Sequence, residues 1–136
     1  MPTLKNYRLL ISHSWRYNNE YETVVNWLNI NSNFTWSNHS ISADNPKDAR
    51  TEKEIKEAIT NQINGCSAVV VISGLYAKYS KWIDWEISEA KRLSKPIIGL
   101  KPWGQEKIPT NISENAIEMV GWNSSSLIQS IRDYAN

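Results

Sequence analysis

The chain has 136 residues, a net charge of +1 and 40% apolar residues, which suits one globular domain spanning residues 1–136. The near-neutral charge argues against a nucleic-acid partner, and the lone Cys66 excludes an internal disulfide and a thiolate-rich metal site. There is no signal-peptide core and no apolar run of membrane-spanning length, so we expect a cytoplasmic protein with no membrane partner.

The first half of the chain alternates strand and helix patterns. The best local signals belong to the second helix, where Thr51 and Glu54 form a capping box and Gly65 ends the helix. In chain order the patterns predict a strand at 7–12, a helix at 21–30, a shorter strand at 34–42, a loop at 43–51, a helix at 51–65 and a strand at 67–73.

The second half continues the alternation. The patterns predict a connection at 74–80, a helix within 78–93, a strand at 95–100, a loop at 101–111, a strand at 116–122 and a helix at 125–135. Strands that alternate with helices predict an α/β fold, in which right-handed crossovers build a parallel sheet with helices on both faces. Five strands fit the flavodoxin-like order 2-1-3-4-5.

In such sheets, ligands bind at the carboxyl ends of the strands. Those ends read "SHSW" (12–15), "SNHS" (37–40), "SGLY" (73–76) and "KPWGQ" (101–105). They lack the acidic residues of a phosphate-accepting receiver domain and the Gly-rich phosphate loop of a flavin domain. Neither a dinucleotide Gly fingerprint nor a P-loop occurs in the chain.

Other site chemistries have weak support in the sequence. His13 and His39 could join Asp44 or Glu86 around a metal ion, but their spacing fits no metal motif, so we expect no metal site. Ser12, Ser14 and His13 lack a nucleophile-elbow pattern, and hydroxyls that cap the following turn are the better interpretation. The acids Asp44, Asp48 and Glu86 leave a metal-dependent nuclease as a weak alternative.

The helix pattern at 78–93 contains one charge in an unusual position. At 100° per residue, Ile83, Ile87 and Ala90 form an apolar stripe with Trp82 and Leu93 on one flank. Glu86 projects between the stripe and that flank, whereas Asp84, Lys91 and Arg92 point elsewhere. No helical neighbour of Glu86 at three or four positions is basic. The pattern therefore predicts a carboxylate on the inward side of the helix.

Four segments of the chain resemble the TIR-like family that includes the Thoeris antiphage sensor proteins. They are "SHSW", "FTWSNHS", "SGLYAKYSKWIDWEISEAKRLSKPIIGLKPWG" and "MVGWNSSSLIQSIRDYA", which together extend over nearly the whole chain. NAD-cleaving members of the TIR superfamily carry a Ser-x-Trp-x-x-x-Glu element whose Glu is catalytic. Ser80, Trp82 and Glu86 stand in that pattern here. The resemblance implies a TIR-like fold, Glu86 as the catalytic residue and nucleotide signalling from NAD.

The chemistry of NAD cleavage is compatible with a single carboxylate. Breaking the bond between nicotinamide and ribose builds positive charge on the ribose, which a carboxylate in a partly dry pocket can stabilise. Nicotinamide is already a good leaving group, so a general acid is dispensable. On this hypothesis NAD is a substrate and no cofactor is needed. The predicted NAD-binding residues at the strand ends and on the helix are His13, Ser14, Trp15, Asn38, Ser73, Tyr76, Trp82 and Trp103.

The resemblance also implies partners. TIR-like active sites are often completed by a neighbouring subunit, so we expect self-association, and a separate effector protein would read the linear or cyclic ADP-ribose product. Other members of the superfamily are scaffolds without activity. A non-enzymatic assembly module is therefore the alternative function, and it predicts that Glu86 is dispensable.

Overall fold

The structure is a computed structural model that describes residues 5–12, 19–31, 33–39, 51–101 and 108–135, with the backbone alone at 75–80. Strands and helices alternate along these ranges, as predicted. The strands are β1 (Asn6–Ile11), β2 (Thr35–Asn38), β3 (Ala68–Ile72), β4 (Ile97–Leu100) and β5 (Glu118–Val120). The helices are α1 (Asn19–Ile30), α2 (Glu52–Asn64), α3 (Tyr76–Arg92), α4 (Thr110–Asn115) and α5 (Ser124–Tyr134), and a 3-10 turn at Ser73–Leu75 leads into α3.

The five strands form one parallel sheet in the order β2-β1-β3-β4-β5. The predicted fold class and strand order are confirmed. Helix α3 contacts both α2 and α4, while α1 contacts α5, so two groups of helices cover the sheet. Every residue of the central strand β3 is buried, as expected for a parallel strand covered on both faces. Among the described residues, no helix combines the length and apolar character that spanning a bilayer requires.

Local sequence signals explain how the helices begin and which side they bury. The capping box is confirmed, because the Glu54 N–H donates to Thr51 Oγ1 at 3.2 Å and the Thr51 N–H donates to Glu54 Oε1 at 3.4 Å. In α5, Leu127, Ile128 and Ile131 are buried as predicted. Cys66 is buried and behaves as a small apolar residue, and its burial raises the pKa of the thiol to about 11.

Some predicted boundaries are wrong. The loop predicted at 101–111 ends in α4, a six-residue helix that is too short to show periodicity in the sequence and is held by the buried Ile112. Helix α3 begins at Tyr76, inside the connection predicted at 74–80, because a 3-10 turn joins it directly to β3. The strands β2 and β5 are shorter than predicted, since pairing with β1 and β4 sets their length.

Ser12 joins the carboxyl ends of β1 and β3. Its N–H donates to the Val70 carbonyl at 2.7 Å, and its buried Oγ accepts the Ile72 N–H at 3.0 Å. The predicted capping of the following turn involves residues 13–18, which lie outside the described part of the chain. The bond to Ile72 continues the ladder between the two strands one step beyond β1, next to the point where Ser73 begins the turn to α3.

We expect Ser12→Ala to lower the free energy of unfolding by about 1–3 kcal/mol, because it leaves the buried Ile72 N–H without an acceptor. Urea unfolding followed by circular dichroism measures the change. Ser130→Ala is the control, since it removes a buried hydroxyl that accepts no hydrogen bond within the described residues. An equal loss in the two variants would contradict the role given to Ser12.

Candidate functional site

Glu86 lies on the side of α3 that faces the core. Only 3% of this residue is exposed, and the neighbouring stripe of Ile83, Ile87 and Ala90 is almost completely buried. The predicted inward orientation of Glu86 is confirmed. Glutamate is rarely buried unless it is paired or functional, and Glu86 makes at least one polar or electrostatic interaction in the structure.

The neighbours of α3 show which helix lies beside Glu86. On one side, Trp85 Nε1 donates to the Lys56 carbonyl of α2 at 3.3 Å. On the other, Asn111 of α4 donates to Asp84 Oδ1 at 2.6 Å. On a helical wheel, Glu86 falls between the core stripe and the side that contacts α2. The wheel therefore places Glu86 on the side of the core stripe that is nearer to α2.

Glu89, one turn further along α3, is a second buried carboxylate, and its partners are clear. Thr60 of α2 donates to Glu89 Oε1 at 2.6 Å, and Arg92 donates from Nε to Oε2 at 2.8 Å and from its terminal nitrogen to Oε1 at 3.1 Å. The hydrogen bonds from Arg92 are the main reason that the pKa of Glu89 lies below its ordinary value. These contacts give Glu89 a structural role in holding α3 to α2.

The lowered pKa of Glu89 links its contacts to pH. Its stabilising effect is complete above the ordinary pKa of 4.5 and is lost as the pH falls through the lower pKa of the folded state. We expect wild type to exceed Glu89→Gln in stability by about 1 kcal/mol at pH 7, and this difference to shrink in acid. Thermal unfolding of both proteins between pH 7 and pH 3 measures this difference, and Glu114→Gln, at an exposed position of α4, is the control. A difference that does not vary with pH would contradict this assignment.

The structure brings Trp82 near Glu86, one turn earlier on the same helix. The Trp82 side chain is half-buried, and Lys81 Nζ lies 5.5 Å from the centre of its ring. Lys81 also pairs with Glu52 Oε1 of α2 at 2.8 Å. Five of the eight predicted NAD-binding side chains lie outside the described part of the chain, namely those of His13, Ser14, Trp15, Tyr76 and Trp103. The side chain of Ser80 lies outside it as well.

Asn38 and Ser73 lie at the carboxyl edge of the sheet, as predicted. Asn38 is exposed at the end of β2, and its Nδ2 donates to the Tyr21 hydroxyl of α1 at 2.7 Å. Asn38 is level with Leu9 of β1 and Ala68 of β3, so Ser73 lies two strands away and five residues further along, roughly 20 Å from Asn38. Ser73 is 4% exposed, and its Oγ has no hydrogen-bond partner among the described residues.

A groove of about 820 Å³ between α2 and α3 was not predicted. It contains neither Glu86 nor Trp82, and it is lined by Glu52, Lys53, Lys56, Glu57, Thr60, Asn61, Trp85 and Glu89. Two of its carboxylates are already paired, Glu89 with Arg92 and Glu52 with Lys56 and Lys81. We therefore centre the candidate site on Glu86. The groove arises where two helices pack together, and no pattern within either helix indicates it.

Metal ligands do not cluster in the described part of the chain, where no three histidine, cysteine or acidic side chains are grouped. The His39 ring lies near the end of α2, 3.6 Å from where a Cβ on Gly65 would stand. The other candidate ligands, His13, Asp44 and Asp48, lie outside the described residues.

Comparisons with known proteins identify the family. No curated protein matches the sequence. Among solved structures, the Clostridium botulinum CMP N-glycosidase BcmB matches at 14% identity and a TM-score of 0.59, over 93% of this chain and 99% of that one. A prokaryotic SEFIR domain matches at 15% identity and a TM-score of 0.49, over 93% of this chain and 94% of that one. The family described as "Thoeris protein ThsB, TIR-like domain" matches residues 10–107, more than half of the sequence. The chain therefore belongs to the Thoeris ThsB TIR-like domain family.

Proposed function

We propose that this domain cleaves NAD between nicotinamide and ribose, with Glu86 as the catalytic carboxylate. The observation that carries the proposal is the position of Glu86, which is 3% exposed on the core side of α3 and one turn after Trp82. Membership of a TIR-like family supports it, because the Ser80, Trp82 and Glu86 spacing matches the element of NAD-cleaving TIR domains.

The chemistry requires a negative charge that is placed before the reaction begins. As the bond to nicotinamide breaks, the bonding electrons leave with the neutral base and positive charge develops on the ribose. A carboxylate in a water-poor environment stabilises that cation strongly, since little solvent screens it. Water then attacks the cation to give ADP-ribose, or a group of the same molecule attacks it to give a cyclic product. We propose that Trp82 stacks on a ring of the substrate.

The structural likeness to BcmB supports the proposal at the level of the fold. BcmB is named a CMP N-glycosidase, and its fold is similar to that of this chain. The scissile bond of NAD is also an N-glycosidic bond between a base and a ribose. A fold of this type can therefore accommodate the class of reaction that we propose. At 14% sequence identity, the likeness between the two proteins concerns their fold.

The burial of Glu86 has a consequence for regulation. A carboxylate with 3% exposure is shielded from substrate as well as from water, so the side of α3 nearest α2 must open before a ribose reaches it. We propose that self-association or a trigger favours the open form, and that a separate effector protein reads the product. The rate per molecule should then rise with protein concentration.

The experiment incubates the purified chain with NAD and, separately, with CMP over a wide range of protein concentrations. Chromatography resolves nicotinamide, linear and cyclic ADP-ribose species, and cytosine. We expect nicotinamide release from NAD, with a rate per molecule that increases with protein concentration. Release of cytosine alone would assign a different substrate. If neither base is released even from concentrated protein, the proposal is wrong and the non-enzymatic assembly module takes its place.

A further inference from the structure

The junction between β3 and α3 contains a buried hydroxyl that no described contact uses. Ser73 is 4% exposed, and its Oγ has no hydrogen-bond partner among the described residues. A buried hydroxyl without a partner is costly, so such a group calls for an explanation. Serine before a helix commonly caps it, as the side chains of Thr51 and Asn123 cap α2 and α5. The Ser73 hydroxyl makes no such bond.

The same junction has a positive electrostatic character. Helix α3 has 17 residues, and its first N–H groups lack partners within the helix and carry the positive end of the helix dipole. The first turn contains no acidic residue that would neutralise this end. Gly74 follows Ser73 and is exposed, so its backbone is accessible to solvent.

We propose that Ser73 and the backbone of the turn that begins α3 form a phosphate subsite, which receives the pyrophosphate of a dinucleotide. The hydroxyl of Ser73 can donate, as can the N–H groups of this turn that the 3-10 hydrogen bonds leave unpaired, and phosphate oxygens accept several hydrogen bonds at once. The evidence for the subsite is the geometry of the junction between β3 and α3. Only the identification of its ligand with the pyrophosphate of NAD rests on the function proposed above.

Two features of the fold hold the subsite in place. It lies at the carboxyl end of the central strand β3, the edge at which ligands bind in parallel sheets. The N–H of Ile72, the residue before Ser73, is fixed by the hydroxyl of Ser12 at 3.0 Å. The backbone of the subsite is therefore ordered before the ligand binds, which limits the ordering cost of binding, and the hydroxyl of Ser73, which is 4% exposed, becomes accessible after the local opening that a buried group requires.

Isothermal titration of the purified chain with ADP-ribose, inorganic pyrophosphate and adenosine tests the subsite without turnover. We expect the first two to bind and adenosine, which has no phosphate, to bind much more weakly. Ser73→Ala should weaken ADP-ribose and pyrophosphate about tenfold or more, as expected for loss of a hydrogen bond to a charged group. Ser130→Ala is the matched control, because it removes the other buried hydroxyl without a partner among the described residues, and it should leave both affinities unchanged.

Thermal unfolding provides a second measurement. Without ligand, Ser73→Ala should be as stable as wild type, because the lost hydroxyl has no partner within the described residues. With ADP-ribose, it should gain less stability than wild type. Unchanged affinity in Ser73→Ala, or no binding of pyrophosphate by wild type at millimolar concentration, would overturn the subsite. If the protein binds pyrophosphate through Ser73 but does not cleave NAD, the subsite is supported and only the catalytic proposal is refuted.

Discussion

Glu86→Gln should lower the rate of nicotinamide release by about 10²–10³-fold, the usual effect of removing one preorganised electrostatic group from a catalytic site. Glutamine has almost the same shape as glutamate but carries no charge, so it fills the buried position and cannot stabilise a ribose cation. We expect kcat to fall much more than KM changes, because the lost interaction is strongest in the transition state. Chromatographic measurement of nicotinamide over a series of NAD concentrations separates the two quantities.

Glu89→Gln provides a matched control for this experiment. Glu89 lies one turn further along α3 and is also buried, but its carboxylate is held by Thr60 and Arg92. The same substitution there should cost stability and leave nicotinamide release unchanged at a temperature where the protein is folded. Equal turnover by Glu86→Gln and wild type would remove Glu86 from the mechanism. An equal loss of activity in both variants would attribute the effect to general damage to α3.

Ile83→Ala should lower the free energy of unfolding by about 2–5 kcal/mol, the usual cost of truncating a fully buried isoleucine. Ile83 is 0% exposed and seats α3, the helix that carries Glu86, on the core. Alanine favours helices, so the loss comes from packing and from the cavity that remains. In a domain of this size, the melting temperature should fall by roughly 6–20 °C. Calorimetry of the two proteins in the same buffer measures the change.

Ser88→Ala provides the control for Ile83→Ala on the same helix. Ser88 is exposed, so its replacement by alanine should leave the melting temperature nearly unchanged. If Ile83→Ala were no less stable than Ser88→Ala, α3 would not depend on its apolar stripe. Catalytic activity of Ile83→Ala, measured well below its melting temperature, would then show how far the position of Glu86 depends on this packing.

Patterns within short segments predicted the helices and their buried sides, because the interactions that produce these patterns are local. The capping box of Thr51 and Glu54 spans four residues, and the stripe of Ile83, Ile87 and Ala90 repeats at helical spacing. The same spacing predicted that Glu86 faces inward, which its burial confirms. The helix α4 escaped prediction, because six residues are too few to show a period.

The features that the sequence by itself determined are therefore the α/β alternation and the inward orientation of Glu86, whereas the strand order was predicted from the general rule for alternating strands and helices. The tertiary structure alone decided which distant groups meet. Ser12 binds the backbone of Ile72, 60 positions away, and Thr60 reaches Glu89, 29 positions away. It also left the Ser73 hydroxyl buried without a partner among the described residues. Hydrogen bonds between distant positions follow from how strands and helices pack, and no local period encodes them.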